Sequence, residues 1–100
     1  MKTRYTETAL LEIEGAVSYL LERSPSGAAT FADLIDAAVA RLLDHPYSAE
    51  ETEIQGVRRV YIRRFRYSMF YTVDEDEIVI LHLRHAARLW PWEDEGWGNR

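Results

Sequence analysis

Arginine supplies most of the chemistry available to this chain. Arg58, Arg59, Arg63, Arg64 and Arg66 lie in one short stretch with no acid among them, and Arg84, His85 and Arg88 follow further on. A guanidinium stays charged at any physiological pH, and its planar fork matches carboxylates and phosphates. Any one of these arginines could be a solvated charge that protects a sheet edge, but together they point to a surface that grips an anionic partner. His82 and His85 do not make a metal pair, because residues three apart on a strand point to opposite faces. Paired carboxylates, a phosphate-cradling glycine loop and a nucleophile elbow are all absent. No cofactor and no metal are expected.

The segments around these residues read as a sheet. Apolar and aromatic residues alternate with arginines over 57–64 and 66–73, Asp74-Glu75-Asp76-Glu77 forms an acidic turn, and Ile78 begins a third strand over 78–84. His85 and Arg88 then fall just past the last strand. In the first of these strands Val60 and Ile62 share a face, which turns Arg59, Tyr61 and Arg63 the other way. The middle strand is apolar on both parities and should be central.

Upstream, Lys2 to Tyr5 is a candidate edge strand, and Thr6 a candidate helix cap. Leu10, Ile13, Val17, Leu20 and Leu21 recur at helical spacing, predicting a helix over 7–23. Ser24-Pro25-Ser26-Gly27 breaks it, and a second helix carrying Phe31, Leu34, Ile35, Ala38, Leu42 and Leu43 runs to Asp44, where His45-Pro46 stops it. His45 there suits the helix dipole. Residues 47–56 read as a polar connection. The fold expected is α+β: an N-terminal strand and an antiparallel two-helix hairpin packed on one face of an antiparallel β-sheet, with a basic and aromatic face left open. Leu20, Leu34, Ile35, Leu42, Val60, Ile62, Met69 and Tyr71 are the expected core.

At 100 residues the chain suits one domain, taken as 1–92, followed by an acidic, glycine-rich tail over 93–100. Trp90 is expected to close the core and Trp97 to lie on a flexible tail. No apolar run reaches the ~20 residues of a membrane helix and no signal-peptide pattern opens the chain, so a cytoplasmic protein is expected. Without cysteine, disulfides and thiolate metal sites are excluded. The net charge of −5 hides a segregation, since residues 7–53 hold ten acids against Arg23 and Arg41 while 58–66 hold only arginines. A molecule acidic on its helices and basic on its sheet would orient a charged partner.

Taken in order, the N-terminal strand, the Ser-Pro break between two helices, the stop at His45-Pro46, Gly-x-Arg-Arg at 56–59, Phe-Arg-Tyr-x-x-x-Tyr at 65–71 and Ile-Val-Ile-Leu-x-x-x-His-x-x-Arg at 78–88 resemble the RelE/ParE superfamily of type II toxin–antitoxin toxins. The ParE branch is the nearer one. The resemblance covers roughly residues 3–92. It implies a ParE-like toxin that binds and inhibits DNA gyrase and is neutralised by a cognate, ParD-like antitoxin in a toxin–antitoxin hetero-oligomer. Operator DNA would be met only through the antitoxin, and no membrane is implied. The contact residues it implies, for antitoxin or target, are Arg59, Tyr61, Arg63, Arg64, Arg66, Arg84, His85, Arg88, Trp90 and Trp92.

The alternative is a RelE-like ribosome-dependent mRNA endoribonuclease, with Arg59, His85 and Arg88 as its catalytic groups. Attack by a 2′-hydroxyl needs a base, stabilisation of charge on the phosphate and a leaving-group acid. Here the middle-strand arginine of those nucleases falls at Ser68, their sheet lysine at Tyr61, and no tyrosine follows Tyr71. The expectation is therefore a binding protein rather than an enzyme. A third possibility is a non-toxic regulator that only binds the antitoxin.

Overall fold

The computed structural model describes residues 1–95, so the expectation for Trp97 lies outside the described residues. The chain runs β1 (Lys2–Tyr5), α1 (Glu7–Arg23), α2 (Pro25–Asp44), β2 (Glu50–Glu51), β3 (Val57–Ile62), β4 (Tyr67–Asp74), β5 (Glu77–His85) and α3 (Pro91–Glu95). The strands form one sheet in the order β1-β5-β4-β3-β2, with β4 central as its two apolar parities require. Neighbours are antiparallel except β1 and β5, which run parallel from Lys2 opposite Glu77 to Tyr5 opposite Ile80. A parallel pair needs a long crossover, and the two helices lie on that path. No helix among the described residues is long and apolar enough to cross a membrane.

Local chemistry sets the helix ends. Thr6 caps α1, its hydroxyl accepting from the Ala9 N–H at 3.0 Å. The break between the helices is Ser24 alone rather than the four residues expected. Its N–H bonds the Leu20 carbonyl to end α1, and its Oγ accepts from the Gly27 N–H to start α2. Pro25 takes the first helical position, where its missing N–H has no intrahelical partner to lose.

α1 buries Ala9 and Ala16, with Ile13, Val17 and Leu20 partly covered, while Leu10 and Leu21 are exposed. The apolar spacing therefore gave the right helix but placed its buried stripe too far toward the leucines. α2 buries Phe31, Ile35, Ala38, Val39 and Leu42 against Val60, Ile62, Met69, Tyr71, Ile78, Ile80 and Leu83 of the sheet. Of the expected core, Leu20 and Leu34 are only partly buried. The Tyr71 hydroxyl donates to the Pro46 carbonyl at 2.7 Å and ties β4 to the end of α2.

Three sheet details depart from expectation. The connection over 47–56 contains β2, which pairs Glu50 with Arg59 and Glu51 with Arg58, so part of the acid lies directly against the basic stretch. Strand β3 stops at Ile62, and Arg63 to Arg66 form the hairpin turn, with Arg66 at φ 60°. Arg63 is therefore on a turn and not on the open face of a strand. The ladder also shifts register between Phe70 and Tyr71, which face His82 and Ile80, and this bulge adds Leu81 to β5.

The second face is not open either. Val57, Phe70 and Trp92 form a smaller apolar cluster there, with Ile54, Leu81 and Trp90 packed against it. Glu93 and Asp94, assigned to a tail, belong to α3.

Candidate functional site

The arginines separate into three settings. Arg59 lies on the sheet face away from the helices, where its Nε donates to Ser68 Oγ at 2.7 Å and its Nη1 pairs with Glu50. Its guanidinium sits 4.8 Å from the Tyr61 ring and 5.2 Å from the Trp90 ring. Arg58 is held inward, donating to the Tyr47 and Ala49 carbonyls. Arg63, Arg64 and Arg66 are exposed on the hairpin turn. That turn is pinned to α2 by Phe65, whose ring meets Phe31 edge-on at 5.4 Å.

Beside the turn, a groove of about 440 Å³ runs between α2 and β3, lined by Leu34, Ala37, Ala38, Val60 and Ile62, with Tyr61, Arg41, Arg63 and Arg64 at its sides. Because β2 pairs only with Arg58 and Arg59, the edge of β3 from Val60 to Ile62 has no neighbouring strand among the described residues. Arg41 was missed from the sequence. It sits four positions from Ala37 on α2, and only the fold brings it to the arginines of the turn.

On the far face the C-terminal segment is locked down. Trp90 and Trp92 each meet Phe70 edge-on, at 5.6 and 5.3 Å. Arg84 is almost fully buried, donating from Nη1 to Asp94 Oδ2 at 2.9 Å and to the Leu89 carbonyl, and from Nε to Glu12 Oε2 at 2.9 Å. Burial works against its charge, but Asp94 and Glu12 outweigh that and hold its pKa above the ordinary value. Arg84 and Trp92 were expected at a contact surface, and in this structure both are buried. Glu12 was missed altogether. Its Oε1 also accepts from the Leu83 N–H and meets His82 Nδ1, both at 3.0 Å. It satisfies the edge of β5 beyond the point where β1 ends.

His85 pairs across the ladder with Tyr67, its ring 5.1 Å away, on the helix side of the sheet. With Arg88 it lines a cleft of about 320 Å³ between α1 and the end of β5, together with Glu12, Gly15, Ala16, Tyr19, Tyr67 and Leu83. Arg59 bonds Ser68, the neighbour of Tyr67, and therefore lies on the opposite face. The three groups expected to converge in a nuclease do not share a pocket. His82 and His85 also stay apart, and no cluster of metal-ligating residues forms among the described residues.

The comparisons with known proteins fit this arrangement. The family model for the ParE toxin of the type II toxin–antitoxin system parDE matches residues 3–90. The chain belongs to the ParE toxin family. Among solved structures, a chromosomal ParDE toxin–antitoxin system from P. aeruginosa aligns with a TM-score of 0.73 at 22% identity, over 85% of this chain and 95% of that one. The isolated E. coli RelE toxin aligns at 0.62 and 14% identity, over 95% and 94% of the two chains. A chain of the intact E. coli RelBE toxin–antitoxin complex gives 0.64 and 15%, over 87% and 98%. At such identities the likeness is one of fold. A comparison with curated protein sequences gave no match.

Proposed function

We propose that this ParE-family toxin acts by binding DNA gyrase, and that a cognate antitoxin silences it by seating a segment in the α2–β3 groove. The observation that carries the antitoxin part is the groove itself: an apolar floor, a strand edge with no neighbouring strand among the described residues, and Arg41, Arg63 and Arg64 along its sides. Its complement is an extended segment with large apolar anchors and acidic flanks. The anchors supply most of the affinity, and the charges supply steering and register. Tyr61 and Arg66 extend the same surface.

Gyrase as target comes from family membership. The separation of Arg59 from His85 and Arg88, with Ser68 where those nucleases carry an arginine, supports a binding mode over RNA cleavage. The protein would work in the cytoplasm as a hetero-oligomer with its antitoxin, meeting operator DNA only through that partner. Expression without the antitoxin is the test. The expected result is an early block of DNA synthesis, relieved by the protein encoded beside it. Early loss of messenger RNA would favour the nuclease, and no growth defect would favour a non-toxic regulator.

A further inference from the structure

The cleft between α1 and the end of β5 lies on another part of the molecule from the antitoxin groove and has a donor set of its own. It exists because β1 ends at Tyr5, which leaves the last third of β5 bordered by α1, and because α1 presents Gly15 and Ala16 there. A Cβ added at Gly15 would meet nothing within 4 Å, so the helix leaves real space at this point.

Tyr19, Tyr67, His85 and Arg88 line that space, the Tyr67 and His85 rings 5.1 Å apart, and among the described residues no hydrogen bond or ion pair engages either tyrosine hydroxyl, the Arg88 guanidinium or Nε2 of His85. The other ring nitrogen of His85 accepts from the Ala87 N–H at 3.1 Å, which places the proton of the neutral imidazole on Nε2 and makes that atom a donor. Burial raises the Tyr67 pKa, and Tyr19 adds to the effect, so its hydroxyl keeps its proton. The carboxylate in the wall, Glu12, is already engaged at both oxygens by His82, Leu83 and Arg84. The cleft therefore offers uncommitted donors and the fixed positive charge of Arg88, whereas Arg23, over the outer side of Tyr19 at 3.6 Å from its ring, is already engaged by Glu22 and the Tyr19 carbonyl.

We infer that this cleft binds the phosphate group of a small phosphorylated metabolite. A phosphate monoester carries three strong acceptor oxygens, enough for an arginine fork, an imidazole and two phenols, whereas a carboxylate has two. About 320 Å³ is at the lower end of small-molecule sites and leaves room for a sugar or nucleoside behind the phosphate. The inference goes beyond the toxin reading and does not depend on gyrase or antitoxin binding.

The full chain would be titrated with inorganic phosphate, adenosine 5′-monophosphate and adenosine while backbone amide NMR signals are followed. Both phosphate-bearing probes should shift Gly15, Ala16, Leu83 and the 85–88 turn, and adenosine should not. Tighter binding of the monophosphate than of inorganic phosphate would make the organic group part of the ligand, and equal binding would make phosphate sufficient. Arg88→Ala should weaken binding by about tenfold or more, the usual effect of removing a charged partner. Gly15→Leu should fill the cleft and abolish binding, while Gly15→Ala, which removes a mid-helix glycine, should keep the fold and raise the melting temperature. The proposal fails if neither phosphate probe shifts these signals at about 10 mM, a concentration about tenfold above a 1 mM Kd. It fails equally if adenosine binds as well as its monophosphate, or if binding survives both Arg88→Ala and Gly15→Leu.

Discussion

Glu12 is one carboxylate doing the work of a missing strand, a histidine partner and a counter-ion. Burial raises its pKa, but donation from His82, the Leu83 N–H and Arg84 more than offsets that and holds the folded value below the ordinary 4.5. The unfolded chain then takes up this proton before the folded one does. Its contribution is complete above the ordinary carboxylate value and is lost as pH falls through the folded value. Glu12→Ala leaves Arg84 and His82 facing an empty position in a largely buried site, which costs about 3 kcal/mol or more at neutral pH. Chemical denaturation at stepped pH should show that loss. The Glu12→Gln protein should lose less stability than the parent on acidification, and parallel pH profiles would mean that the network contributes nothing. None of this was legible in the sequence, where Glu12 reads as one more acid on a solvated helix face. Its partners lie about seventy positions away, and no local pattern brings them together.

Element boundaries turned on residues with a specific physical task. Helices, hairpins and the central place of β4 were readable because apolar period and breakers agree with the final packing. Strand β2 was not, since two residues carry no periodicity; its one trace was a pair of acids ahead of Arg58 and Arg59 that could meet them across an antiparallel ladder. The same distinction sorts the leucines of α2. Leu42 is fully buried, while Leu34 is partly covered and lines the groove. Leu42→Ala should cost about 2 to 5 kcal/mol, as truncation in a packed core does, and Leu34→Ala clearly less. Thermal melts of the two variants check the order. If Leu34→Ala proved the more damaging, the groove would be core rather than surface.

At the scale of the whole molecule, the sequence implied one basic face, and the fold divides it. Arg59 and Arg84 are tied to acids and to the C-terminal segment, whereas Arg63, Arg64 and Arg66 remain exposed at a hairpin tip beside an apolar groove. The arginine cluster could be read as a binding surface; which members are available could not, because that depends on β2 and α3. Antitoxin affinity should therefore follow the tip. Changing Arg63 and Arg64 to Glu should lower it by about tenfold or more at low salt, through the loss of steering and of charge pairs at the groove, and calorimetry with the purified antitoxin would show it. Unchanged affinity would move the antitoxin elsewhere. The proposed action of this ParE-family protein on gyrase by binding can be measured in a supercoiling assay with purified gyrase. Dose-dependent inhibition that stoichiometric antitoxin relieves is the expected result. Full supercoiling at saturating toxin, together with ribosome-dependent cuts in messenger RNA that disappear in His85→Ala or Arg88→Ala, would contradict it.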